Sequence, residues 1–221
     1  MWPPGFRSRR RLFMALSGKN PILKRLIGVL IAATSTLAVA PAASASMDLP
    51  TYEFDAPAED FGVVGPLICD YVWRKGVKGF GDMVAAANGY EYQGPRQCAP
   101  GQVATSQHHS GRALDIMIDH RDPEEQLDGR ALMVYLFAND AEHLRRLGVV
   151  EIIWGGRIWT TAVDSESNVT HRLKSWRVFK ECSPGDPPTY CHYDHMHISL
   201  SVAGASKRTT FWTARTLSPL P

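Results

Sequence analysis

Hydrophobic and polar positions alternate in a readable way over much of this 221-residue chain. Leu67, Ile68, Tyr71 and Val72 recur at a helical interval and predict a first helix running to about Arg74, with Cys69 and Trp73 on its buried side. Gly76, Gly79 and Gly81 then break the chain, and Met83 to Ala87 is a short apolar stretch, helix or strand. Asn88 to Gln97 reads as a loop or extended segment. From Gly111 to Ile118 the period becomes two. Ala113, Asp115 and Met117 share one face, and Leu114, Ile116 and Ile118 share the other. The longest helical signal starts at Asp128 and ends at Leu147, with Gly148 as its cap. Leu132, Tyr135, Leu136, Asn139, His143 and Leu147 lie near its stripe, so His143 is a face histidine. Val149 to Trp154 is a β-branched, aromatic run of the kind that forms a buried strand. Gly155-Gly156 turns it into Arg157-Ile158-Trp159. A last strand is predicted from the apolar run after His197.

That last strand carries the chemistry. His192-Tyr193-Asp194-His195-Met196-His197 places three imidazoles and a carboxylate within six residues. On a strand, His195 and His197 point the same way and Asp194 the other, and two imidazoles aimed at one point suit zinc. Upstream, Ser106-Gln107-His108-His109-Ser110-Gly111-Arg112-Ala113-Leu114-Asp115 reads as S-x-H-x-x-G-x-A-x-D. Together the two motifs resemble those of the zinc peptidases of the hedgehog, lysostaphin and D-Ala-D-Ala carboxypeptidase group. The fuller H-x-D-H-x-H is similar to that of murein endopeptidases, and residues 65–203 resemble a secreted actinobacterial branch.

The resemblance implies His108, Asp115 and His197 as zinc ligands. It also implies an α+β fold, a small, mostly antiparallel sheet flanked by helices with the zinc in a groove on the sheet. Three protein ligands leave a fourth position for water, the arrangement of a catalytic site. His195 or Asp194 is then the base, and His192 orients one of them or binds substrate. Ser106 is a partner for a ligand or for a substrate carboxylate. Carboxypeptidases of the group carry an S-G-Y-R-S-like strand near residue 90 whose arginine binds the terminal carboxylate. Here Glu91 stands in its place, which leaves Arg96 or Arg112 for that task. Trp154, Trp159 and Trp176 are candidates for a substrate-binding wall, with core packing as the competing role. His109 and His120 read as loop residues.

Charge and cysteines extend this picture. Seven of the 24 basic residues lie before Ala45 in a segment without an acid, which leaves 17 basic against 22 acidic side chains, a formal −5. With no basic stretch interleaved with aromatics, a nucleic-acid partner is not expected. Residues 1–45 read as a signal peptide: a basic region, an apolar run from Leu26 to Ala40, and an Ala43-Ser44-Ala45 cleavage site. The mature chain then has no membrane span. Residues 46–64 read as a linker or strap, 65–203 as the zinc peptidase-like domain, and 204–221 as a C-terminal tail. Asn168-Val169-Thr170 is formally a glycosylation sequon. Four cysteines in an exported chain suggest two disulfides. Three pairings are possible; the short spacing favours Cys182 with Cys191, which leaves Cys69 with Cys98. The expected function is an exported zinc peptidase cutting peptidoglycan stem peptides, as an endopeptidase or a carboxypeptidase. The alternative is a non-catalytic, zinc-containing module that binds cell wall or protein.

Overall fold

The computed structural model describes residues 47–162, 176–183 and 185–216. The expected signal segment and the sequon at 168–170 lie outside these residues, as does the end of the expected tail, from 217 on.

The fold is α+β. A six-stranded sheet runs β2 (Tyr92–Gln93), β3 (Ala113–Ile116), β7 (Met196–Leu200), β4 (Val149–Trp154), β5 (Arg157–Thr160) and β6 (Arg177–Val178), every pairing antiparallel. A separate ribbon pairs β1 (Tyr52–Glu53) with β8 (Arg215–Thr216). The helices are α1 (Lys75–Asn88), α2 (Pro123–Leu147) and the short α3 (Val202–Ala205). Among the described residues, no helix is long and apolar enough to cross a membrane.

The register explains why the site and the core share strands. Leu114 pairs with Ile198, Ile198 with Ile152, and Ile152 with Trp159, so these four point to one face. All are fully buried, in one cluster with Val77, Phe80 and Val84 of α1 and Leu132, Leu136, Leu144 and Leu147 of α2. Asp115 pairs with His197 and His197 with Ile153, and these point to the other face. Both large helices therefore cover one face and leave the other to loops.

The first helix is not where its periodicity predicts. Leu67 to Trp73 is not helical, and Leu67, Ile68, Tyr71, Val72 and Trp73 are each 41–60% exposed. Tertiary bonds override the pattern. Ile68 N–H donates to Ser110 Oγ, which donates back to the Ile68 carbonyl, and Asp70 N–H donates to the His109 carbonyl. Gly111, at φ +65°, allows the close approach, since a Cβ there would stand 1.9 Å from the Val72 carbonyl oxygen. The helix forms instead across the glycines expected to break it. At Gly76 the missing side chain lets α1 meet α3, where a Cβ would lie 2.0 Å from the Gly204 carbonyl oxygen.

Helix α2 begins five residues before its expected start. Asp122 accepts from the Glu124 and Glu125 N–H groups and Pro123 takes the first helical position. It is interrupted at Ala138–Ala141, where Asn139, Asp140 and Ala141 have positive φ. His143 stacks on Tyr135 at 4.1 Å, a face histidine as expected.

Residues 47–64 form a strap. Arg146 on α2, 3% exposed, binds Glu142, Thr210 Oγ1 and the Ala56 carbonyl and lies over the Phe54 ring. Glu59 accepts from Thr210, and Phe61 packs on Trp159. Two disulfides join Cys69 to Cys98 and Cys182 to Cys191.

Candidate metal centre

His108, Asp115 and His197 converge on the loop-covered face, all buried. His108 stands within a run of tight turns over residues 106–111, closed by bonds from His109 N–H to the Ser106 carbonyl and from Gly111 N–H to the His108 carbonyl. Asp115 and His197 face each other across β3 and β7. His108 Nε2 is 3.0 Å from Asp115 Oδ1 and 3.0 Å from His197 Nδ1, and the third side of the triangle is 2.9 Å.

The hydrogen bonds behind the triangle fix which atoms offer electron pairs. His108 Nδ1–H donates to the Gly94 carbonyl at 2.8 Å, so Nε2 carries the lone pair. His197 Nε2–H donates to Ser199 Oγ at 2.9 Å, whose own hydroxyl donates to Glu151 Oε1, so Nδ1 faces the centre. Burial pushes the His108 imidazole below its ordinary pKa and Asp115 offsets this only in part. At His197 burial also opposes charge, but the Asp115 and Glu151 carboxylates outweigh it and lift the imidazole to about 9. Burial works against the Asp115 charge as well, yet the two imidazoles hold its carboxyl well below the usual range. Three donor atoms thus face one point that calls for positive charge, either a proton on His197 Nδ1 or a metal ion. Ligand atoms around a tetrahedral zinc stand roughly 3.3 Å apart for bonds near 2.0 Å. The triangle is within a few tenths of an ångström of that, and its imidazole–imidazole–carboxylate set is one zinc accepts.

The ligand set opens into a cleft of about 490 Å³, lined among others by Ser106, Arg96, Phe179, Thr189, His192 and His195. His195 is 4% exposed. Its Nδ1–H donates to Asp194 Oδ1 at 2.7 Å, which leaves Nε2 on the metal side, 3.7 Å from Asp115 Oδ1. Asp194 accepts from the hydroxyl of Thr189, a cleft residue, and does not itself line the cleft. Both residues stand in a bend just before β7, so their directions come from the bend and the Asp194–His195 bond, and not from strand alternation. His192, at φ +53°, packs its ring on His195 and Phe179, and its Nδ1 is buried without a partner. Burial, then the neighbouring imidazoles, push it down to about 3. Ser106 Oγ accepts from the His108 backbone N–H and lines the cleft.

Three substrate-binding expectations are corrected. Trp159 is wholly buried between Phe61 and Phe137, because its partner Ile152 puts it on the helix-covered face. Trp154 is on that face too. It donates to the Ile118 carbonyl and borders a second cavity with His120 and Trp176. Arg112 turns away from the cleft into a separate pocket. Of the two arginines considered, Arg96 is the one in the cleft, half exposed and paired with Asp115 Oδ2. His109 is a loop residue, its Nδ1 accepting from Thr105 N–H.

Glu151 and Ser199 were not among the expected site residues. Both had a signal: Ser199 follows His197 by two on a strand, and Glu151 is the lone acid in the apolar run Val149–Trp154.

A family model described as VldE, C-terminal domain, matches residues 72–180. The matched stretch contains His108, Asp115 and Glu151 and ends before His197. No curated protein and no solved structure matches the chain.

Proposed function

We propose that this chain is an exported zinc-dependent peptidase acting on peptidoglycan stem peptides, with its zinc in the groove of a hedgehog/D-Ala-D-Ala carboxypeptidase-like sheet. One observation carries the reading: three donor atoms, the two imidazoles each oriented by a partner behind it, converge at 2.9–3.0 Å on the floor of an open cleft. A structural zinc site closes with four protein ligands, whereas three ligands and a cleft suit catalysis. When bound, zinc supplies Lewis acidity towards water and an amide carbonyl.

The chain's own residues supply the rest. His195 Nε2 accepts the proton of the attacking water and returns it to the leaving amine, while Asp194 holds the ring in that tautomer. Asp194 is thus a positioning residue, and His195 is the base. Glu151 acts through Ser199 to fix His197, the partner shell that sets ligand tautomer in metal sites. Arg96 presents its guanidinium where a carboxylate of the peptide would lie. The two disulfides fit the oxidising compartment that an exported chain enters.

The test is metal content and stem-peptide cleavage, read by mass, for the protein from Ser46 and its His197→Ala and His195→Ala variants. About one zinc per chain, lost with cleavage in His197→Ala, and cleavage alone lost in His195→Ala, is the expected result. Stoichiometric zinc with no cut in sacculi or stem peptides would move the chain to the non-catalytic binding module. No zinc in any sample would overturn the metal reading.

A further inference from the structure

On the far side of the cleft wall lies a second polar cavity, which the peptidase reading does not use. Arg112 is 4% exposed. Its Nη2 donates to the Pro66 carbonyl, and its Nη1 is buried without a partner. Among the described residues, no carboxylate pairs with it. The neighbouring charge is Arg74, another cation, already paired with Asp70. Burial, and then Arg74, push the Arg112 guanidinium below its ordinary pKa. A buried cation without a counter-charge is costly, and folded proteins neutralise or pair such groups.

Beside Arg112 is a cavity of about 130 Å³, which also meets Arg74, Ser110 and Ser206 over an apolar floor that includes Val202 and Ala205. The Ser110 hydroxyl is already used by Ile68 in both directions. The Arg112 Nη1 lies against Gly65, so an incoming group would meet the rest of the Arg112 guanidinium, the part of the Arg74 guanidinium that Asp70 leaves free and the Ser206 hydroxyl, and no acid lines the cavity. A water in the liquid occupies ~30 Å³, so the space has room for one small tetrahedral ion with its residual water.

We propose that this cavity binds a tetrahedral oxyanion, phosphate or sulfate, which neutralises buried Arg112. The ion bridges Arg112 to Arg74 and so pins residues 66–74 onto the domain. Val64, Gly65 and Leu67, at the start of the same segment, line the metal cleft. The anion thereby steadies one wall of that cleft without entering it.

The test uses metal-stripped protein, so that phosphate has no metal to bind and the result does not depend on the peptidase reading. Thermal unfolding is followed in sodium phosphate, sulfate and chloride at matched ionic strength. Calorimetric titration with inorganic phosphate and with sulfate accompanies it and shows which ion is preferred. A ligand of the folded state raises Tm with the logarithm of its concentration above Kd. The expected result is a Tm that climbs with phosphate or sulfate and not with chloride, with one site by titration. Arg112→Met should abolish the site and Arg74→Gln should weaken it at least tenfold. Phosphate and sulfate also stabilise folded proteins in general by exclusion from their surface. A gain that persists undiminished in Arg112→Met is that general effect and overturns the proposal. If Arg112→Met fails to fold, titration of the unmodified protein decides, and no saturable heat with either ion overturns the proposal.

Discussion

The two faces of the sheet are made from the same strands and held by different physics. On the helix-covered face Leu114, Ile152, Ile198 and Trp159 are interchangeable in kind, since each contributes buried area and close packing. On the loop-covered face Asp115, His197, Ser199 and Glu151 occupy the alternate positions, and each depends on a particular atom of its neighbour. Helices seal the first face. The second is bordered by turns and by segments tied through Cys69–Cys98 and Cys182–Cys191. Fold stability and site chemistry therefore separate by odd and even position along a strand, and a one-residue register slip would exchange them.

The sharpest way to break this comparison is to truncate core residues on the helix-covered side and a ligand on the other face. Phe80→Ala should cost ~3–5 kcal/mol in denaturant unfolding, and Ile198→Ala ~2–5 kcal/mol, through lost contact and the cavity left behind. His197→Ala, on the same strand as Ile198, should cost clearly less than Ile198→Ala when both are compared metal-free. Equal losses would mean that the site face is part of the core.

The disulfides come next. Removing the Cys69–Cys98 bridge, which closes 29 residues, should cost ~3.5 kcal/mol on chain-entropy grounds, and the Cys182–Cys191 bridge, which closes 9, ~2.5 kcal/mol. Paired Cys→Ser variants measured by equilibrium unfolding give both numbers. The short loop precedes His192, so its loss should also loosen the cleft, read as weaker zinc retention against a chelator.

A smaller effect sharpens the role of the shell behind the ligands. Glu151→Gln keeps shape and removes the charge that faces His197 through Ser199. Changes at such positions typically weaken metal binding 10–100-fold. Competition with a zinc indicator should show that loss, with metal-free stability within ~0.5 kcal/mol of the unmodified protein. A stability loss without a change in zinc affinity would make Glu151 a packing residue.

How much of this was legible in the sequence follows the same division. Strand β3 was readable from its period-two alternation, and β4 and β7 from their short β-branched or apolar runs. The faces of Asp115 and His197 followed from strand alternation, whereas His195 sits in a bend before β7. The disulfide pairing favoured by spacing is the one formed. Residues 67–74 and α1 were misread because their conformations are set by contacts distant in sequence. Gly76 and Gly81 look like helix breakers by propensity, but Gly76 lets α3 approach and Gly81 makes room for the Tyr92 ring. Trp154 and Trp159 were candidates for a substrate wall with core packing as the equal alternative, because aromatic residues serve both roles and only register tells which.

The segment from Leu67 to Trp73 offers the smallest and most discriminating effect. Its apolar spacing predicts a helix burying Leu67, Ile68, Tyr71 and Val72, in which Val72→Ser would lose the transfer energy of a core valine, ~1.5–3 kcal/mol. In the structure Val72 is 60% exposed, and its carbonyl, not its side chain, is what meets Gly111. Val72→Ser should therefore change stability by no more than ~0.5 kcal/mol, the range of ordinary surface substitutions. Gly111→Ala puts a methyl group against that carbonyl at a positive φ and should cost several times more. Denaturant unfolding of the two variants side by side separates the cases. A small loss for Val72→Ser with a large one for Gly111→Ala means that the segment is held by its backbone against the turn that carries His108. The reverse order would mean that its side chains are buried and that the site face has an apolar core of its own.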